Sequence, residues 1–90
     1  LENVVKSNYA YLVSWDDYNA PAVLYALQKE GLVIKITTKP FTIIANGKET
    51  NFGRGTLVIA SNLQKKSKEE QYALINTISK KFDVQAYGVN

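Results

Sequence analysis

Ninety residues, 46% of them apolar and 21% charged, describe one small domain with a modest core, since a chain of this size buries only about 60% of the surface it exposes when unfolded. There is no Cys and no His, which excludes a disulfide, a thiolate metal site, a Cys nucleophile, a His-based zinc site and a Ser-His-Asp triad made from this chain alone. The formal net charge is +3, but the eleven cations are scattered; the densest group, Lys65, Lys66 and Lys68, runs straight into Glu69 and Glu70, so no nucleic-acid partner is expected.

In chain order, residues 1–8 offer only Val4 and Val5 to a core and read as an edge strand or a linker. Residues 9–15 are apolar at nearly every position. A strand covered on both faces looks like this, and two-sided burial is typical of parallel sheets, so this stretch is expected as the central strand. Residues 16–19 form a turn in which Asp17 or Asn19 can accept from a free N–H of the first helical turn. Pro21 suits a helix start. Val23, Leu24 and Leu27, with Ala20 and Ala26, give a helical stripe over 20–30, which Gly31 ends in the left-handed conformation with Leu32 as its apolar contact.

Residues 32–38 are a second strand, half polar on one face and therefore at a sheet edge, broken by Pro40. Residues 41–52 form a hairpin about Asn46-Gly47, a type I′ turn pair. It sets Phe41 against Phe52, Ile43 against Thr50 and Ala45 against Lys48, and is expected to project from the sheet. Gly53-Arg54-Gly55 reverses the chain into a buried strand over 56–60. A polar loop, 61–66, leads to the capping box Ser67-Lys68-Glu69-Glu70. The second helix runs to about Lys81 on the stripe Leu74, Ile75, Ile78 and Phe82, with Lys80 and Lys81 near its negative end. Residues 84–89 close the chain as a short strand. Helical crossovers between strands predict an α/β domain, flavodoxin-like in part, with a mostly parallel sheet of order 2-1-3-4 and the hairpin inserted at 41–52.

Two carboxylates, Asp16 and Asp17, follow the central strand directly. They suit a Mg²⁺ site through hard oxygen ligands or, the commoner case since helix starts often carry Asp, a helix entrance that they cap and whose positive end they complement. A phosphoacceptor site would need a third Asp after the strand at 56–60, where Ser61 and Asn62 stand. Trp15 and Tyr18 flank the pair and could floor a ligand pocket or pack on a neighbouring domain. Arg54 could fork onto a carboxylate or merely decorate a turn. Ser61 and Asn62, with Gln64, would adjoin the aspartates if the two buried strands were neighbours in a parallel sheet, but no His is there to activate Ser61. The candidate contact surface is thus Trp15, Asp16, Asp17, Tyr18, Arg54, Ser61 and Asn62, with no catalytic residue and no metal ligand set.

Three segments carry a resemblance: Tyr9-Ala-Tyr-Leu-Val-Ser-Trp-Asp-Asp-Tyr-Asn-Ala-Pro21, Thr38-Lys-Pro-Phe41 and Phe52-Gly-Arg-Gly-Thr-Leu-Val-Ile59. In this order and spacing they are similar to the class I glutamine-amidotransferase-like domain that follows the catalytic domain in bacterial, Bacteroidetes-type zinc carboxypeptidases of peptidase family M14. The resemblance covers residues 9–60. It implies a flavodoxin-like accessory domain without catalysis of its own, in a secreted, periplasmic or cell-surface hydrolase. The zinc and catalytic Glu would lie upstream in the peptidase domain, which would be the partner of this one in the same polypeptide. The chain would hold no cofactor itself. The chain opens on Leu1 and lacks Met, which reads as an excised part of such a protein. No apolar run reaches the roughly 18–20 residues that span a bilayer and no signal peptide is legible; an open sheet edge offers a route to a homo-oligomer. The alternative expectation is a small-molecule or cation-binding flavodoxin-like module that uses the strand-end crevice.

Overall fold

The computed structural model describes every residue, Leu1–Asn90. Strand β1 (Ala10–Val13) alternates its side chains, with Tyr11 and Val13 in one cluster and Leu12 in another. Helix α1 (Ala20–Lys29) carries Pro21 in its first turn, buries Ala20, Val23 and Leu27, and stops where Gly31 takes φ +87°. Strand β2 (Lys35–Ile36) is only two residues long. Strands β3 (Phe41–Ala45) and β4 (Lys48–Phe52) pair in the register expected around Asn46-Gly47. Strand β5 (Leu57–Ala60) leads through a 3-10 turn into helix α2 (Lys68–Phe82). The capping box closes both ways, with Glu70 N donating to Ser67 Oγ and Ser67 N to Glu70 Oε1, each at 3.1 Å. Asp83 ends the helix in the left-handed region, and β6 (Ala86–Val89) follows.

The sheet has order β2-β5-β1-β6-β3-β4, and every neighbouring pair is antiparallel. The mostly parallel, flavodoxin-like sheet of order 2-1-3-4 is therefore not formed. The turn at Gly53-Arg54-Gly55 decides this. It brings the chain back beside β2, where Thr37 N donates to Thr56 O at 3.0 Å and Gly55 N to Thr37 O at 2.9 Å. Strand β5 then fills the place between β2 and β1. Each helix accordingly crosses one intervening strand, α1 over β5 and α2 over β1, and the strands it joins run the same way without touching. Leaving the hairpin aside, this is the split βαβ arrangement of ferredoxin-like domains.

The two-sided burial of β1 has a different cause from the one expected. Helices α1 and α2 cover one face, where Tyr11, Val13, Leu57 and Ile59 meet Val23, Leu27, Ile75 and Ile78. The hairpin covers the other. It does not project: Ala45 pairs with Val89, and Phe41, Ile43, Ala45 and Phe52 pack with Leu12, Val58, Tyr87 and Val89. The Phe41 and Phe52 rings stack at 5.3 Å, and Tyr87 meets Phe52 edge-on at 5.1 Å, the offset geometries that ring quadrupoles favour.

Residues 1–8 form neither a strand nor a free linker. They are a strap, with Val4 buried in the helix-side core and Val5 exposed. Ser7 anchors the strap's end. Its hydroxyl donates to Val89 O and accepts from Tyr9 N at 3.0 Å and Ala10 N at 3.1 Å. Ser7 N donates to the buried Tyr11 hydroxyl at 2.9 Å, and burial pushes that phenol above its usual range.

Strand β2 is shorter than 32–38 because Leu32 is drawn into the helix-side core and the chain then parts from β5. The Gln64 amide closes the gap. Its Oε1 accepts from Val33 N at 2.8 Å, while Nε2 donates to Val33 O at 2.8 Å and to Ala60 O at 2.9 Å. The side chain continues the ladder where backbone pairing stops. Gln64→Ala is expected to cost about 2 kcal/mol, from three hydrogen bonds at partly exposed backbone. Urea unfolding measures it, and the Val33 amide should exchange faster; an unchanged midpoint would refute this role.

Candidate contact surface at the β1–α1 end

Antiparallel pairing sets which sequence candidates meet. Val13, at the end of β1, pairs with Leu57 at the start of β5 and with Ala86 at the start of β6. The loop carrying Trp15, Asp16, Asp17 and Tyr18 therefore shares its end of the sheet with Arg54. Ser61 and Asn62 lie at the opposite end, where Ser61 N donates to Tyr9 O at 2.8 Å. A four-residue strand, about 13 Å long, separates the two groups. The expected crevice between the aspartates and Ser61 and Asn62 is not formed, because it required β1 and β5 to run the same way.

Trp15 is propped on the Gly53-Arg54-Gly55 turn. A Cβ at Gly55 would lie 3.4 Å from Trp15 Cβ and 3.5 Å from Cγ, and Gly55 itself takes φ +84°. The turn is braced from beneath, with Thr56 Oγ1 donating to Gly53 O at 2.7 Å and Thr56 N to Thr37 Oγ1 at 3.1 Å. The indole remains 41% exposed and the Tyr18 ring 86%. Arg54 is exposed. The chain's ion pairs are Lys6–Glu69 and Lys48–Glu2, so the guanidinium is unpaired.

The aspartates do not cap α1 as expected. Asp17 Oδ1 accepts from Asn19 N at 3.1 Å and Asp17 O from Ala20 N at 3.1 Å, an Asx turn that shapes the entry one step earlier. Asn19 stands at the N-cap without a side-chain bond into the helix. Its Nδ2 instead donates to Phe82 O at 2.9 Å and ties the start of α1 to the end of α2. Asp16 N donates to Ser14 Oγ at 3.2 Å, and its carboxylate is exposed. No three acidic side chains converge as a metal site would need.

One neighbour of this surface was not legible as such. The phenol of half-buried Tyr87 is pushed above its usual range, first by burial and then by the carboxylates of Glu2 and Asp17. Alternation along β6 puts it on the hairpin side, and that signal was present in the sequence, but only the β1–β6 pairing brings it near Asp17. The two cavities of the chain, of about 340 and 320 Å³, both lie along the seam of α1 and α2, sharing Glu30, Leu74 and Thr77 in their walls. Neither includes Trp15, Tyr18 or Arg54. The β1–α1 end is thus an open surface with two aromatic rings, a guanidinium and two carboxylates. Trp, Tyr and Arg are the residue types that anchor protein interfaces.

Comparison with family models, with curated proteins and with solved structures finds no match to the chain. No helix is long and apolar enough to cross a membrane.

Proposed function

We propose that this chain is a non-catalytic accessory domain that packs on a neighbouring domain of its own polypeptide through Trp15, Tyr18 and Arg54, with Asp16 and Asp17 at the rim. The observation that carries this reading is the exposed indole held against the Gly55 turn beside an unpaired arginine. Two aromatic rings left in water are costly to display and gain most when another surface covers them. The peptidase domain of an M14-type zinc carboxypeptidase is the neighbour on the resemblance of residues 9–21, 38–41 and 52–59 alone. The flavodoxin-like architecture that accompanies that resemblance is not the one found here and lends it no support. Any zinc belongs to that peptidase domain in this proposal.

In a polypeptide that joins the two domains, the pair Trp15→Ala and Tyr18→Ala should lower the melting temperature of the peptidase domain. In the isolated chain Tyr18→Ala, at a ring 86% exposed, should leave stability within about 0.5 kcal/mol, whereas Trp15→Ala also gives up the indole's contact with the Gly55 turn and should cost about 1–2 kcal/mol. A peptidase domain with the same melting temperature and activity in both forms would remove the proposal.

A further inference from the structure

The six-stranded sheet has two open edges, β2 and β4. Open edges are templates for pairing, and proteins blunt them with short strands, prolines, bulges and lysines. The β2 edge is blunted. It is two residues long, Pro40 follows it, and self-pairing about Lys35 would set two lysines face to face. The β4 edge is five residues long, with neither proline nor bulge, and its one lysine, Lys48, is paired with Glu2 at 3.2 Å.

The hairpin register shows what that edge presents. In a hairpin with a two-residue turn, the closing pair is hydrogen-bonded and bonded pairs alternate from there. Ala45 with Lys48, Ile43 with Thr50 and Phe41 with Phe52 are then the bonded pairs. The N–H and C=O groups of Glu49 and Asn51 point away from β3, and no other strand lies beyond them.

We propose that two copies of the chain pair antiparallel through β4, around a two-fold axis at Thr50. Three two-fold registers can use these outward groups. Centring on Glu49 sets two carboxylates opposite each other. Centring on Asn51 keeps only residues 50–52 of the strand in register and runs Lys48 toward Arg54 in the turn beyond it. Centring on Thr50 sets Thr50 opposite Thr50 and Glu49 opposite Asn51, with no like charges in register. Threonine pairs of this kind are favourable across strands, and directly opposed like charges are not. The pairing makes four backbone hydrogen bonds and joins the two sheets edge to edge. So small an interface gives a weak, rapidly exchanging dimer.

Sedimentation equilibrium over roughly a hundredfold range of concentration, reaching about 1 mM, tests it. The mean mass of the wild-type chain should rise from 10.1 kDa toward twice that value. Asn51→Glu sets a carboxylate opposite Glu49 at both ends of the pairing and should weaken association about tenfold or more. Adding Glu49→Lys to Asn51→Glu makes both contacts opposite in charge and should restore it. Both positions are exposed, so folding is preserved, which the urea midpoint checks. Ile36→Lys, at the other edge, should associate as wild type does. A wild-type chain that stays at monomer mass throughout overturns the proposal. So does association indifferent to Asn51→Glu, association not regained in the double variant, or association lost in Ile36→Lys.

Discussion

Gly88→Ala lowers the stability of the chain by about 3 kcal/mol and frees the strap formed by residues 1–8. A Cβ on Gly88 would stand 1.7 Å from Val5 O and 2.8 Å from Val5 C. Both are backbone atoms, so no side chain can swing aside, and the strap must lift. Lifting it exposes Val4, which is 4% exposed in the fold and whose burial contributes about 1.5–3 kcal/mol. It also breaks the bond from Val5 N to Asn46 Oδ1 and the pair between Glu2 and the Gln85 amide. The exposed Lys48–Glu2 ion pair adds little. A domain of this size has only about 5–13 kcal/mol in total. The melting temperature should therefore fall by roughly 10–25 °C, and the amides of Val5 and Ser7 should exchange early. In a chain lacking residues 1–5, Gly88→Ala should cost less than about 0.5 kcal/mol. A full cost in that background would place the constraint in β6 itself rather than in the strap.

The second large effect is at Asn46. Asn46→Ala is expected to cost about 3–4 kcal/mol, and Asn46→Gly about 2 kcal/mol. Asn46 takes φ +49° in the hairpin turn, a conformation that costs Ala about 1–2 kcal/mol and Gly nothing. Its side chain does a second job. Oδ1 accepts from Val5 N at 3.0 Å and Gly88 N at 2.9 Å, and Nδ2 donates to Ala86 O at 3.2 Å. With its own N–H on Gly88 O at 2.9 Å, Asn46 joins hairpin, β6 and strap at one point. Removing the amide leaves Val5 N and Gly88 N without acceptors. If only turn geometry mattered, Asn46→Gly would be neutral. Urea unfolding of the two variants separates the contributions, and a neutral Asn46→Gly would deny the side chain any role as a junction.

Part of the contact surface was visible in the residues themselves. An apolar strand running into Trp15, Asp16, Asp17 and Tyr18 announces an exposed loop, because carboxylates and a proline four residues beyond them cannot extend the strand. That Arg54 shares this end, and that Ser61 and Asn62 do not, depends on strand direction. Hydrophobic alternation is the same read forward or backward, so no count of apolar positions along 56–60 reports it. The capping role assigned to the aspartates failed for a related reason. Asp17 and Asn19 can each reach several N–H groups, and the choice fell to contacts with Phe82, far along the chain.

The sequence by itself determined the helix starts and stops and the hairpin turn. Asn46-Gly47 set the hairpin and its register, Gly31 ended α1, and Ser67 with Glu70 began α2, because each is a local matter of φ, ψ and nearby donors. Only the tertiary structure decided the arrangement. The strand at 9–15 is apolar on both faces whether helices lie on both sides or, as here, helices on one and a hairpin on the other. The burial is the same, so the side-chain pattern is the same, while the sheets differ in the direction of every neighbouring strand. The tie was broken by long-range contacts with no local signature: the Thr37–Thr56 backbone bond that holds β5 beside β2, the Gln64 amide that splices their ladder, and the Asn46 amide that fastens the hairpin to β6 beneath the strap.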